Sequence, residues 1–239
     1  MKTIKKFSKI IGFGDSFVWG DELIDPQLAH CFNIHPASDN NTAYRESNCF
    51  LGRLAAHYDV CAENYAWPGS SLQTAIWNYC WWRERTENLD QYLVIVGLTS
   101  AHRMSFYNPN HTVCENDPPW HRYVHSTWVN HSQMNFTNSW QDLVRLHSVL
   151  TDCAQSQKLN YLQSVYFWQG VNDCHAGVIQ FPTMPAVVTV TADNLIWADT
   201  SVRDWLQQPE LLCANGHPNE KGHLVISNKL QHIINHAIL

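Results

Sequence analysis

The chain has 239 residues, 45% of them hydrophobic and only 15% charged, which suits one large α/β domain with a sizeable core and excludes disorder by composition. Its 15 Lys and Arg against 21 Asp and Glu leave a net charge of -6, and no basic cluster exceeds Lys2, Lys5 and Lys6, which argues against a nucleic-acid partner. Met1 to Lys9 lacks the continuous apolar core of a secretory signal, and no stretch approaches the roughly 18 apolar residues of a membrane span. A cytoplasmic location without a membrane partner is the expectation, with a place in a larger particle as the alternative.

Phe7 to Phe13 reads as a short buried strand that stops at Gly14. Trp19 to Thr42 is rich in Asp, Pro, Asn and His and reads as loop, and Ala43 to Tyr58 carries Leu51, Leu54 and Ala55 at helical spacing. Val60 to Ala66 is the second strand. It runs into Trp67-Pro68-Gly69-Ser70-Ser71, a turn whose serines can cap a helix from Leu72 to about Asn88 that buries Ile76, Tyr79 and Cys80. Tyr92 to Gly97 is apolar throughout, as a strand covered on both faces must be.

From Arg103 to about Asn138 follows an irregular insertion rich in Tyr, Trp and His, of the kind that forms lids or binding loops. Trp140 to Ala154 returns to helical spacing, Tyr161 to Trp168 reads as a fourth strand, and Asn194 to Ala198 as a short fifth. Phe181 to Pro185 breaks any helix there, and Glu220 to Ala237 closes the chain as an amphipathic helix through Leu224, Ile226, Leu230, Ile233 and Ile234. Alternating strands and helices imply a parallel sheet between helical layers, in one domain spanning 1–239.

The eight cysteines are dispersed, with no Cys-x-x-Cys pair, and are expected to be free buried thiols. Cys213, His217 and His223 lack the fourth ligand that a structural zinc site needs, so neither metal nor cofactor is expected.

Four short blocks fall at predicted strand ends or before the last helix: Gly14-Asp15-Ser16, Gly69 in its turn, Gly97-Leu98-Thr99, and Asn215-Gly216-His217-Pro218-Asn219. In this order they resemble the blocks of the SGNH, or GDSL-type, serine hydrolases, over positions 12 to 223. The resemblance implies a flavodoxin-like three-layer α/β/α sandwich with a central parallel sheet of about five strands. It implies Ser16 as nucleophile and His217 as general base, with oxyanion donors from the backbone N–H of Ser16, the backbone N–H of Gly69 and the side chain of Thr99. A serine hydroxyl is a poor nucleophile at neutral pH, and an imidazole can take its proton and return it to a leaving group.

Two departures from the pattern stand out. Thr99 replaces the family's Asn, and its hydroxyl reaches less far than an amide. Asn215 and Ala214 stand where an acidic partner of the histidine is expected. Asn215 could orient the ring in a dyad-type enzyme, could be an introduced change that slows turnover, or could mark a chain that binds without hydrolysing.

Asp15 is expected to cap its turn, His223 to be structural, and Arg103 and Trp67 to bind substrate. The reading is an esterase that forms an acyl-enzyme on Ser16 and deacylates an O-acylated carbohydrate, since aromatic rings stack on sugar faces. The alternatives are an inactive carbohydrate-binding or structural protein on the same fold and a lipid or thioester hydrolase.

Overall fold

A computed structural model of the chain describes residues 3–28, 38–103, 105–107, 123–125 and 154–237. Strand β1 (Lys9–Phe13) leads into a one-turn helix α1 (Ser16–Trp19), followed by α2 (Asp39–Asn48), α3 (Phe50–Tyr58), β2 (Cys61–Asn64), α4 (Leu72–Arg83) and β3 (Tyr92–Leu98). Short strands β4 (Ser105–Tyr107) and β5 (Tyr123–His125) form a separate antiparallel pair. The chain continues through α5 (Ala154–Gly170), β6 (Gly177–Pro182), α6 (Val202–Trp205) and α7 (Glu220–Ala237).

The main sheet is parallel in the order β2-β1-β3-β6. The chain steps outward from β1 to β2 and returns across β1 to β3, so a crevice opens at the carboxyl ends where the winding reverses. Alternation along the strands builds a core on each face. Ile10, Leu93, Ile95 and Ile179 pack under α3 and α7 with Phe50, Leu54, Ile226 and Leu230. Ile11, Phe13, Val94, Val96 and Val178 pack under α4 and α5 with Tyr79, Trp82, Tyr161 and Trp168. The expected three-layer α/β/α sandwich is therefore what the chain forms. Much of its aromatic content is core: the Phe13 ring lies 5.6 to 6.0 Å from Tyr65, Tyr79, Trp82 and Trp168.

Several expected elements are corrected. Tyr161 to Trp168 is helix rather than strand, because Tyr161, Ser164, Val165 and Trp168 make a buried stripe at helical spacing while Tyr166 faces out. The fourth strand is Gly177–Pro182 instead. Gln180 interrupts its apolar run, yet this side chain is fully buried and donates to the Val165 carbonyl and the Asn194 side-chain oxygen. Asn194 to Ala198 contributes a single bridge at Leu195. The helix expected over Ala43 to Tyr58 starts earlier and breaks at Cys49, and the helix from Leu72 stops at Arg83. Cys80 and Leu224 are exposed rather than buried, as are Cys61 and Cys174; Cys49 is buried, Cys213 is half-buried, and all five are free. Most of the 103–138 insertion and the helix expected over Trp140 to Ala154 fall outside the described residues.

His223 holds α7 against α3. Its Nδ1 accepts the Phe50 N–H at the start of α3, its ring stacks on Phe50, and its buried Nε2 has no partner among the described residues. Burial, helped by the nearby charges of Arg53 and His217, lowers its pKa to about 3. Below the ordinary histidine value of 6.5 the unfolded chain takes up a proton that the folded chain refuses, so stability falls with pH from there towards about 3. The slope from this group is at most about 1.4 kcal/mol per pH unit. Urea titrations of His223→Gln across that window are expected to show a flatter acid limb than those of the unaltered chain.

Candidate active site

The sheet places the sequence blocks along one edge. Ser16 follows β1, Gly69 follows β2, Thr99 follows β3 and Thr183 follows β6. Gly14 makes the first turn possible: at φ +146°, a Cβ there would sit 2.7 Å from Val18 Cγ2 and 2.9 Å from the Gly97 carbonyl oxygen.

Asp15 caps α1 as expected, its Oδ1 accepting the Phe17 N–H at 3.1 Å. The other end of α1 is tied down by Arg45, whose Nη1 donates to the Trp19 carbonyl while its guanidinium lies 4.0 Å from the centroid of the Trp19 ring. Asn64 Nδ2 donates to the Val18 carbonyl. The turn that carries Ser16 is thus fixed at one end by its own cap, Asp15, and at the other by side chains from α2 and β2.

His217 comes from a tight loop before α7. Its carbonyl accepts the Cys213 N–H at 2.7 Å, Gly216 takes φ +87°, and Asn219 Oδ1 caps α7 through the N–H groups of Lys221 and Gly222. The imidazole Nε2 lies 2.9 Å from Ser16 Oγ. These two residues, distant in sequence, are brought into hydrogen-bond contact.

The partner on the other ring nitrogen was not anticipated. Glu22 Oε2 lies 2.8 Å from His217 Nδ1, and the same oxygen accepts the His217 N–H at 3.3 Å. Asn215, expected to orient the ring, instead donates to Glu22 Oε1 from its backbone N–H at 3.2 Å and from Nδ2 at 2.7 Å. The expected contact of Asn215 with the imidazole is therefore corrected: Asn215 holds the carboxylate, and the carboxylate holds the ring.

Burial raises the Glu22 pKa, but the hydrogen bonds from the His217 side chain and from the backbone of Asn215 and His217 outweigh it, leaving the carboxyl below its usual range. Glu22 sits at φ +64°, a left-handed conformation that costs a non-glycine residue on the order of 1 kcal/mol or more. Its four hydrogen bonds offset that strain. Asp21 adds a second carboxylate, with Oδ2 3.7 Å from His217 Nε2.

Among the described residues, neither the Ser16 N–H nor the Gly69 N–H donates a hydrogen bond. Thr99 is 2% exposed, and its Oγ1 accepts from Arg103 Nη1 at 2.9 Å. The same Nη1 lies 3.4 Å from Oδ2 of the fully buried Asp15, which also accepts from Thr183 Oγ1 at 3.0 Å. Arg103, Phe17 and His217 line a cleft of about 560 Å³ with Met184, Arg203, Gln207 and Asn215. Trp67 is not part of that lining; its ring packs edge-on against Trp19, 5.9 Å away. No group of His, Cys, Asp and Glu suited to a metal ion occurs among the described residues, and no helix there is long and apolar enough to cross a membrane.

Fold and site define a three-layer α/β/α protein that carries a serine, a histidine and a carboxylate in one hydrogen-bonded chain at the carboxyl edge of its sheet. No family model and no curated protein matches the sequence. Among solved structures it is similar to a lipolytic protein of the G-D-S-L family from Veillonella parvula, at 10% identity over 95% of this chain and 98% of that one, with a TM-score of 0.46. It is also similar to an α/β hydrolase enzyme from the metagenome of Lake Arreo, at 14% identity over 96% of each chain and a TM-score of 0.48. An acetylxylan esterase from Geobacillus stearothermophilus matches at 11% identity over 97% of this chain and 96% of that one, with a TM-score of 0.45. Likenesses at this level say nothing about the reaction, so the reading of the site stands on its own geometry.

Proposed function

We propose that the protein is a serine ester hydrolase that works through an acyl-enzyme on Ser16, with His217 as general base and Glu22 as the carboxylate that orients it. The observation that carries this reading is the continuous hydrogen-bonded chain from Ser16 Oγ through both ring nitrogens of His217 to Glu22. With Glu22 ionised, Nδ1 carries the proton that it donates, so Nε2 presents a lone pair to the serine hydroxyl.

As Ser16 Oγ bonds to the ester carbonyl carbon, its proton passes to Nε2, and the imidazolium so formed lies between the carboxylates of Glu22 and Asp21. That proton then goes to the departing alkoxide. Water repeats the sequence on the acyl-enzyme and releases the acid. Charge on the carbonyl oxygen is met by the N–H groups of Ser16 and Gly69 and by a donor at the end of β3.

The proposed substrate is an O-acylated carbohydrate. The cleft sets Arg103, Arg203, Asp204, Gln207 and Asn215 beside the apolar Phe17, Met184, Pro185 and Leu212, and its polar side chains offer hydrogen-bond partners to the hydroxyls of a sugar. Glu22 supplies the carboxylate whose absence beside His217 was one of two grounds, with Thr99, for reading the site as idle. Acetate release from acetylated saccharides is expected to exceed acid release from long-chain acyl esters. A preference for the long chains would overturn the sugar proposal, and failure of a fluorophosphonate to label Ser16 would overturn hydrolysis altogether.

A further inference from the structure

We propose that Arg103 is the side-chain donor of the oxyanion hole, taking the part that Thr99 is too short to play. The inference rests on the reading of Ser16 as nucleophile. It starts from the position of Thr99 at the end of β3, where its hydroxyl oxygen is already an acceptor for Arg103 Nη1 at 2.9 Å. A guanidinium held there extends the reach of the threonine by the length of that hydrogen bond, into the cleft that Arg103 lines beside His217.

Both side-chain hydrogen bonds that Arg103 makes among the described residues leave from Nη1. Nε and Nη2 remain as donors, in the rigid fork that suits an anionic oxygen. The arginine is also braced for the task. Its Nη1 is held between Thr99 and the buried carboxylate of Asp15, the residue before the nucleophile, and Asp15 is in turn bound by Thr183 at the end of β6. One polar cluster therefore ties the ends of β1, β3 and β6 together and anchors the guanidinium to Asp15, the residue before Ser16.

When Ser16 Oγ bonds to the carbonyl carbon, the carbon–oxygen π pair moves onto the carbonyl oxygen while the serine proton goes to His217 Nε2. Arg103 donates to that oxygen together with the N–H groups of Ser16 and Gly69. A donor of this kind acts on the transition state rather than on substrate binding, so its loss separates kcat from KM.

The test is steady-state hydrolysis of a chromogenic acetyl ester. For Arg103→Gln, kcat is expected to fall about 100- to 1000-fold with KM nearly unchanged, and affinity for a boronic acid that mimics the tetrahedral adduct is expected to fall in parallel. Adding Thr99→Asn to Arg103→Gln places an amide at the β3 end and is expected to restore at least about tenfold of kcat. Arg103→Lys keeps a cation beside Asp15 without the fork; it is expected to fold, to lose kcat and to take up the boronic acid weakly. Unchanged kcat in a folded variant, or a rise in KM with kcat kept, would overturn the assignment while fluorophosphonate labelling of Ser16 left the esterase reading standing. An unaltered chain that neither labels nor hydrolyses would overturn both.

Discussion

Replacing Ser16 by alanine is expected to lower kcat on a chromogenic acetyl ester by about 10⁶-fold, the scale set by removing the nucleophile from a serine protease triad. Among the described residues the hydroxyl makes one hydrogen bond, to His217, and Ser16 is 4% exposed, so the substitution removes the reacting atom and little else. A melting temperature close to that of the unaltered chain should accompany the loss, since one net hydrogen bond is worth about 1 kcal/mol. Mass spectrometry after exposure to a fluorophosphonate should find the adduct on Ser16 in the unaltered chain and none in the variant.

The second large effect is expected at Glu22. Glu22→Gln keeps the shape of the side chain but removes the charge that stabilises the imidazolium, and an amide can present an N–H to Nδ1 and so favour the wrong tautomer. In a serine protease the matching change costs about 10⁴-fold in kcat, and the same order is expected here. The lowered pKa of Glu22 keeps the carboxylate ionised at neutral pH, so the unaltered chain loses this support only as pH falls through that lowered value. Because Glu22 also accepts three hydrogen bonds from Asn215 and the His217 backbone, the variant should be somewhat less stable, which thermal unfolding would show.

How the hydrogen-bonded chain of Ser16, His217 and Glu22 could and could not be read from sequence turns on where each residue sits. Ser16 and His217 were legible because short glycine-bearing blocks mark them: Gly14 is forced by the contact of the turn with β3, and Gly216 and Asn219 shape the loop before α7. Glu22 was not legible, because the acid was sought beside the histidine and lies instead in the turn that closes α1. The sequence signal available was the acidic pair Asp21-Glu22 directly after Gly20. What aims Glu22 at His217 is a left-handed backbone angle, and no sequence pattern specifies that. The helix over 161–168 and the strand over 177–182 were misread for a related reason. Burial is set by neighbours: Tyr166 faces solvent, and Gln180 is accommodated in the core by Val165 and Asn194.

The assignment of Glu22 as the carboxylate partner of His217 is the central claim, and comparing Glu22→Gln with Asn215→Asp on one acetyl ester tests it most directly. With Glu22 on Nδ1, kcat of Glu22→Gln should fall by about 10⁴-fold. Asn215→Asp should bring no gain, because a second carboxylate would face Glu22 where the Nδ2 donor now sits. Near-normal turnover in Glu22→Gln, together with a gain of about 100-fold or more in Asn215→Asp, would contradict the account and return the acid to the position beside the histidine.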